Sequence, residues 1–183
     1  MMPRRRLMLF VEGPSDKRFV DSVLAPRLRA LYPGGVKIVE YAAGCSSAKV
    51  CRLVLAAVAA GFEYFLLCDL DEASCFTAKR HGVCSTYPCV EPRNVLVAAP
   101  EIEAWYLAGL DQTRTAAIGV AKYHPGTDSV TKEEFNRLRP RRFRSRIDFM
   151  REILKRFDLD HAVYLGRNRS LTYCLAKLGL GAS

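Results

Sequence analysis

Three apolar runs in this chain end on acidic residues, and no other feature restricts its fold as much. LMLFV runs into Glu12, FEYFLLC into Asp69 and Asp71, and NVLVAAP into Glu101 and Glu103. Such runs are continuous rather than alternating, which fits strands of a parallel sheet covered by helices on both faces. Helical patterns separate them, giving the order β-α-β-α-β-loop-β-α expected of a doubly wound sheet. Right-handed crossovers then place all the strand ends on one edge, where open α/β sheets hold their ligands.

Local signals set the elements. The first strand spans Leu7 to Val11 and ends at Gly13-Pro14. Ser15 or Asp16 is expected to cap a helix through DKRFVDSVLAPRLRALY, with Pro26 as a kink or early stop. A turn over Tyr32 to Gly35 leads to a second strand, VKIVEYA. The loop AAGCSSAKV then opens a helix capped by Ser46 or Ser47 and stopped at Gly61. Residues 72–92 read as irregular, and Pro100 is expected to open a helix EIEAWYLAGL. The expectation is an α/β, Rossmann-like parallel sheet of about four strands with flanking helices over residues 1–109. A helical, arginine-rich extension over residues 110–183 is expected to pack on the same domain. Pro140 interrupts one of its helices, while IDFMREILKRFD and LTYCLAKLG supply two more.

Composition narrows the class. Half of the 183 residues are hydrophobic, enough for a proper core. The longest apolar stretch, VCRLVLAAVAAGF, is shorter than a bilayer span and contains Arg52. The N-terminal MMPRRRLMLFVEG superficially resembles a secretory leader, but its apolar run stops at Glu12 without a cleavage pattern. A cytoplasmic location is expected, and no membrane partner. Seven cysteines without regular spacing read as reduced thiols, with Cys51 and Cys68 as small buried hydrophobes.

The acidic clusters carry the chemistry. In an extended chain Asp69 and Asp71 point the same way and can serve one cation. Magnesium takes oxygen ligands in octahedral geometry and keeps several waters, so two or three carboxylates and a substrate phosphate suffice. Gly13, beside Glu12, permits close approach of backbone to a ligand. Glu101 is the better candidate for a second metal, and Glu103 reaches the site only if the first helical turn is irregular. For any one of these acids the plainer reading is a strand-end carboxylate that caps a helix or pairs with arginine. Their recurrence at equivalent topological positions favours a site.

The stretch LFVEGPSDKRFVDSVL, with LLCDLD about sixty residues on, resembles the Toprim domain over roughly residues 6–108. That domain occurs in topoisomerases, bacterial primases, recombination mediators and nucleases of the overcoming-lysogenization-defect type. The later PEIEAWYLA is similar to a segment of small Toprim-like proteins, some found near phage-defence genes. The resemblance implies that Glu12 is a general acid/base or metal ligand and that Asp69 and Asp71 bind magnesium or manganese. It implies a metal-dependent nuclease or related phosphotransfer enzyme, in phage defence or DNA repair. Topoisomerases need a tyrosine on a further domain, and primases need zinc-binding and helical regions, so both fit this length poorly. The alternative is a non-catalytic module that binds nucleic acid or a protein partner, as recombination mediators do. Related nucleases often work under an ATPase; the chain has no P-loop, so such a partner would be encoded separately.

Nucleic acid also suits the charge. The formal net charge is +9, and the segment from Arg137 to Arg146 holds six arginines in ten residues. Arg139, Arg141, Arg142, Arg144 and Arg146 are candidates to track a phosphate backbone, with Phe143 placed to stack on a base. The plainer alternative is a solvated basic face or a subunit-pairing surface. Lys49, in the loop GCSSAK at a helix start, is a candidate phosphate contact, and simple capping by Ser46 or Ser47 explains that loop equally well. Trp105 and Tyr106 read as core. Cys75, His81, Cys84 and Cys89 are of the ligand types zinc prefers, but their spacing matches no common finger or ribbon.

Overall fold

The computed structural model describes residues 4–42 and 44–181. Met1, Met2 and Pro3 of the N-terminal segment, Ala43 of the loop before Ser46, and the last two residues lie outside that set. The chain divides into two compact units, one ending at Val97 and one beginning at Ala98. The sequence placed the boundary near residue 109, so the helix after the fourth strand belongs to the second unit.

In the first unit four strands, β1 (Leu7–Val11), β2 (Val36–Glu40), β3 (Glu63–Asp69) and β4 (Val95–Ala98), form one parallel sheet in the order β2-β1-β3-β4. The last residue of β4 opens the second unit. The architecture is that of a Rossmann-like α/β fold. Leu7 pairs with Val36 on one side and Glu63 on the other, and Val11 with Glu40 and Leu67. β1 is therefore central and in register with both neighbours. Leu7, Leu9, Phe10 and Val11 are buried, as is every residue of β4. Each large apolar side chain removed from water in this way contributes on the order of 1.5–3 kcal/mol. β2, an edge strand, is only half-buried.

The connection from β1 to β2 is helical without a break from Pro14 to Leu31: α1 (Pro14–Phe19), a π segment (Val20–Leu24) and α2 (Ala25–Leu31). Pro26 has no amide hydrogen, and its ring clashes with the carbonyl four residues back in a regular helix. The wider π register just ahead of it accommodates both defects, so the helix continues past the proline that the sequence read as a kink or stop. Its cap also differs from expectation. Gly13 is the N-cap residue, Pro14 takes the first helical position, and the Asp16 carboxylate accepts from the Gly13 amide at 3.1 Å. Gly34 is needed where it stands: a Cβ there would lie 2.6 Å from the Arg4 carbonyl.

α3 (Ser47–Ala59) connects β2 to β3. Ser46 caps it by accepting from the Lys49 amide, and Gly61, at φ 74°, lies just past its end. α4 (Phe76–Thr86) occupies most of the stretch that read as irregular. Only Val83 of this helix is buried, so no apolar periodicity announces it. The Cys75 thiol accepts from the Ala78 amide at its start. A disulfide joins Cys51 of α3 to Cys89 beyond α4. Cys51 is therefore half of a covalent link rather than a buried hydrophobe, whereas Cys68 is buried and free.

The second unit is helical: α5 (Ile102–Ala108), α6 (Gln112–Ala117), α7 (Lys132–Leu138), α8 (Arg146–Leu154), α9 (Leu159–Tyr164) and α10 (Arg169–Lys177). Every residue of α5 is buried, which makes it the core helix of this unit. Tyr106, Phe135 and Phe149 form a chain of ring contacts, and the Trp105 indole donates to Ser170 at 2.8 Å. Pro100 does not open α5. The Ala99–Pro100 bond is cis, and Glu101 holds the N-cap position. Among the described residues no helix is long and apolar enough to cross a membrane.

Candidate metal centre

The strand order puts the site where the sheet changes direction. The chain crosses from β1 to β2 on one side, then returns past β1 to β3 on the other. Between the carboxyl ends of β1 and β3 the crossovers diverge and leave a crevice. Glu12 follows Val11 directly at that edge, and Asp69 ends β3. The Glu12 carboxylate accepts a hydrogen bond from the Asp69 amide at 3.2 Å, so two of the three expected residues meet.

Asp71 reaches the same place by a different route from the expected one. β3 ends at Asp69, and Asp71 sits in a turn with φ 51°, a left-handed conformation that aspartate tolerates better than most residues. The pleat of an extended strand thus does not align the two side chains. The turn does, bringing an oxygen of each within 4.8 Å of the other. Oxygen ligands of one magnesium stand about 3–4 Å apart, so a small side-chain adjustment lets both hold it.

A cation already attends this pair. Lys79 of α4 donates to Asp71 Oδ2 at 2.5 Å. Partial desolvation disfavours its ammonium, but the Asp71 bond and the negative groups around it outweigh that effect and raise its pKa. Beneath them, burial pushes the Cys68 thiol up to about 12 against the pull of Lys79, which leaves it protonated and inert. The glycine after Glu12 is not sterically required: a Cβ at Gly13 would meet Asp16 at an ordinary 3.7 Å. Lys79 is the neighbour of these acids that sequence reasoning missed. It lies on a helix with a single buried residue, Val83, and nothing in its spacing from Asp71 marks it.

The remaining candidates are placed as follows. Lys49 is exposed in the first turn of α3, while Ser46 caps that helix and Ser47 bonds the Thr86 carbonyl. In the second unit, Glu101 accepts from the Lys132 amide at 2.6 Å. Glu103 is 3% exposed and paired with Arg146 at 2.9 Å. Burial raises the pKa of Glu103, with Arg146 pulling the other way. Arg139 donates to the Phe143 carbonyl and Arg142 to the Ala117 carbonyl, whereas Arg141 and Arg144 are exposed. Phe143, half-buried, packs on Phe149 with ring centroids 5.4 Å apart. The four-residue zinc set does not form, because Cys89 is in the disulfide with Cys51 and Cys75 caps α4. Trp105 and Tyr106 are core.

Comparison of the chain with protein-family models, with curated proteins and with solved structures gives no match.

Proposed function

We propose that this protein is a Toprim-like, magnesium- or manganese-dependent phosphodiesterase acting on nucleic acid. The contact between Glu12 and the Asp69 amide at the switch point of the sheet carries the reading. The donors there suit a hard divalent cation: carboxylate oxygens of Asp69 and Asp71, on a turn that already tolerates a positive charge from Lys79. A metal held by Asp69 and Asp71 would neutralise charge on a bound phosphate and make a coordinated water more acidic. Glu12 sits beside them as the proton acceptor. As the water oxygen forms its bond to phosphorus and the P–O ester bond breaks, Glu12 would take the water proton, and the leaving sugar oxygen would depart with the bonding pair and take a proton from solvent. Lys79 then has two roles, holding Asp71 before the cation arrives and pairing with a phosphate oxygen afterwards. The reading does not depend on Glu101 or Glu103.

Calorimetric titration with magnesium or manganese tests the metal directly, and Asp69→Asn is expected to abolish that binding. Cleavage of labelled DNA and RNA should need the metal and fall at least ~100-fold in Glu12→Gln, the usual range for a lost acid/base group. Full activity in both variants would sink the assignment.

The Lys79–Asp71 bond also favours a second reading, in which the acids are already satisfied and the edge is a non-catalytic scaffold. In that case no divalent cation binds, and affinity for nucleic acid survives chelation. A cytoplasmic setting accompanies either version. Cytosolic thiol buffers disfavour a lasting Cys51–Cys89 disulfide, so alkylation after acid quenching of cells tests the setting: both thiols alkylated would support a cytoplasmic location. A pair found fully oxidised would argue against that location.

A further inference from the structure

Arg167, in the short link between α9 and α10 of the second unit, is only 2% exposed. A guanidinium keeps its charge at neutral pH even when buried. Here Nη1 donates to the Leu110 carbonyl and lies 3.3 Å from His161 Nε2, and Nη2 donates to the His124 carbonyl. The Tyr123 ring faces the group, its centroid 4.6 Å away. None of these partners is a carboxylate. Asp111, the acid that acts on Arg167 through space, is itself engaged by Arg114 at 3.1 Å. Burial lowers the pKa of Arg167, and Tyr123 and Asp111 offset only part of that effect. A buried charge of this kind is costly until an opposite charge meets it.

Two nitrogens here are buried and have no hydrogen-bond partner, Arg167 Nε and His124 Nε2. Glu134 stands 3.9 Å from the latter, past hydrogen-bonding distance. Both residues line one cavity of about 10 Å³, close to the space of a single water-sized sphere. Lys122 and Thr115 line it too, the rest of its wall is aliphatic, and none of its lining residues is acidic. Burial lowers the pKa of His124, Glu134 pulling the other way, and a neutral imidazole can carry its proton on Nε2 and donate.

A water in this place would take up the two hydrogen bonds and leave the charge of Arg167 as it is. A small anion does both. We propose that this cavity binds one monovalent anion of about chloride's size, held by Arg167 Nε and His124 Nε2. The ion neutralises Arg167 and ties the segment at His124 to the α9–α10 link. All of these residues belong to the second unit, so the site is independent of Asp69 and Asp71.

Trp105, the chain's single tryptophan, is buried in this unit, so its fluorescence follows the unit's unfolding in urea. The test series replaces sodium gluconate by sodium bromide at fixed ionic strength, gluconate being too large for the cavity. Only the folded protein holds the ion. Above the dissociation constant, the unfolding constant should therefore fall ~10-fold for each tenfold rise in bromide. Val120→Leu, which adds a methylene to the lining, should remove that dependence. A variant that folds and keeps it places the ion elsewhere and overturns the proposal. Crystals of the full chain grown in bromide give the position: an anomalous peak at hydrogen-bonding distance from Arg167 Nε and His124 Nε2 is expected. An ordered water there without anomalous signal overturns the proposal. So does a wild-type unfolding constant unmoved up to ~0.15 M bromide, about physiological ionic strength, whether or not Val120→Leu folds. A crystal peak would in that case be an adventitious ion only.

Discussion

Glu103 and Arg146 illustrate what single residues contribute here. Both were legible as charged residues of candidate sites, one as a metal ligand and one as a nucleic-acid contact. The sequence shows neither their separation in space nor Glu103's burial, because tertiary packing alone decides both. With Glu103 3% exposed and Arg146 about one-third exposed, the pair is a partly solvated bridge over a buried carboxylate. Removing Arg146 strands that carboxylate, and Arg146→Ala should cost about 3 kcal/mol at neutral pH. Glu103→Gln leaves no buried charge and should cost less. The folded-state pKa of Glu103 lies above its ordinary 4.5. Its ionisation therefore works against the fold: the penalty is absent below the unfolded value and sets in as pH rises through the folded one. Urea midpoints at about pH 7 and about pH 5 should show the wild type gaining on Glu103→Gln upon acidification, and Arg146→Ala gaining most. Parallel curves for all three proteins would contradict a buried, pKa-shifted Glu103.

At the level of elements, β1, β3 and β4 were legible because a buried parallel strand needs a continuous apolar run, and each of these three ends within three residues of a carboxylate. The half-buried edge strand β2 carries Lys37 within it and was marked by the turn before it. α3 was legible for a similar reason: Ser46 and Gly61 mark its ends, and Val50, Val54 and Ala57 repeat at helical spacing on its buried face. α4 was hidden because its amphipathic signal is missing, and with it Lys79. Its docking relies partly on a covalent link, since the Cys51–Cys89 disulfide fastens the segment beyond α4 to α3 across 38 residues of chain. Cysteine spacing alone does not reveal such a pairing, which depends on how the sheet brings the two segments together. Closing a loop of that length restricts the unfolded chain by about 4 kcal/mol in the chain-entropy treatment. Cys89→Ser should lower the stability of the first unit by about 2–4 kcal/mol in urea melts. A reducing agent should lower the wild type by the same amount and leave the variant unchanged. A wild type indifferent to reductant would mean that the link adds nothing to its stability.

Across the whole molecule, the formal charge of +9 draws any polyanion, but charge that is engaged within the protein is less available to a partner. The arginine run shows the difference. Arg146 is paired with Glu103, and Arg139 and the exposed Arg142 are bonded to carbonyls of their own unit; Arg141 and Arg144 are exposed too. A cluster that reads uniformly in the sequence is thus part structural and part open, a division that only neighbours distant in sequence impose. Each phosphate contact releases counterions and adds about 0.7 to the salt slope of binding to a single strand. Replacing both Arg141 and Arg144 by alanine should reduce the slope of log K against log salt by about 1.4, with thermal stability unchanged. Arg146→Ala should instead lower stability, and its effect on binding should follow the fraction unfolded. The measurement is fluorescence anisotropy of a labelled single strand across a salt series. A slope unmoved by the double substitution would assign the exposed arginines to solubility and leave nucleic-acid contact to other parts of the chain.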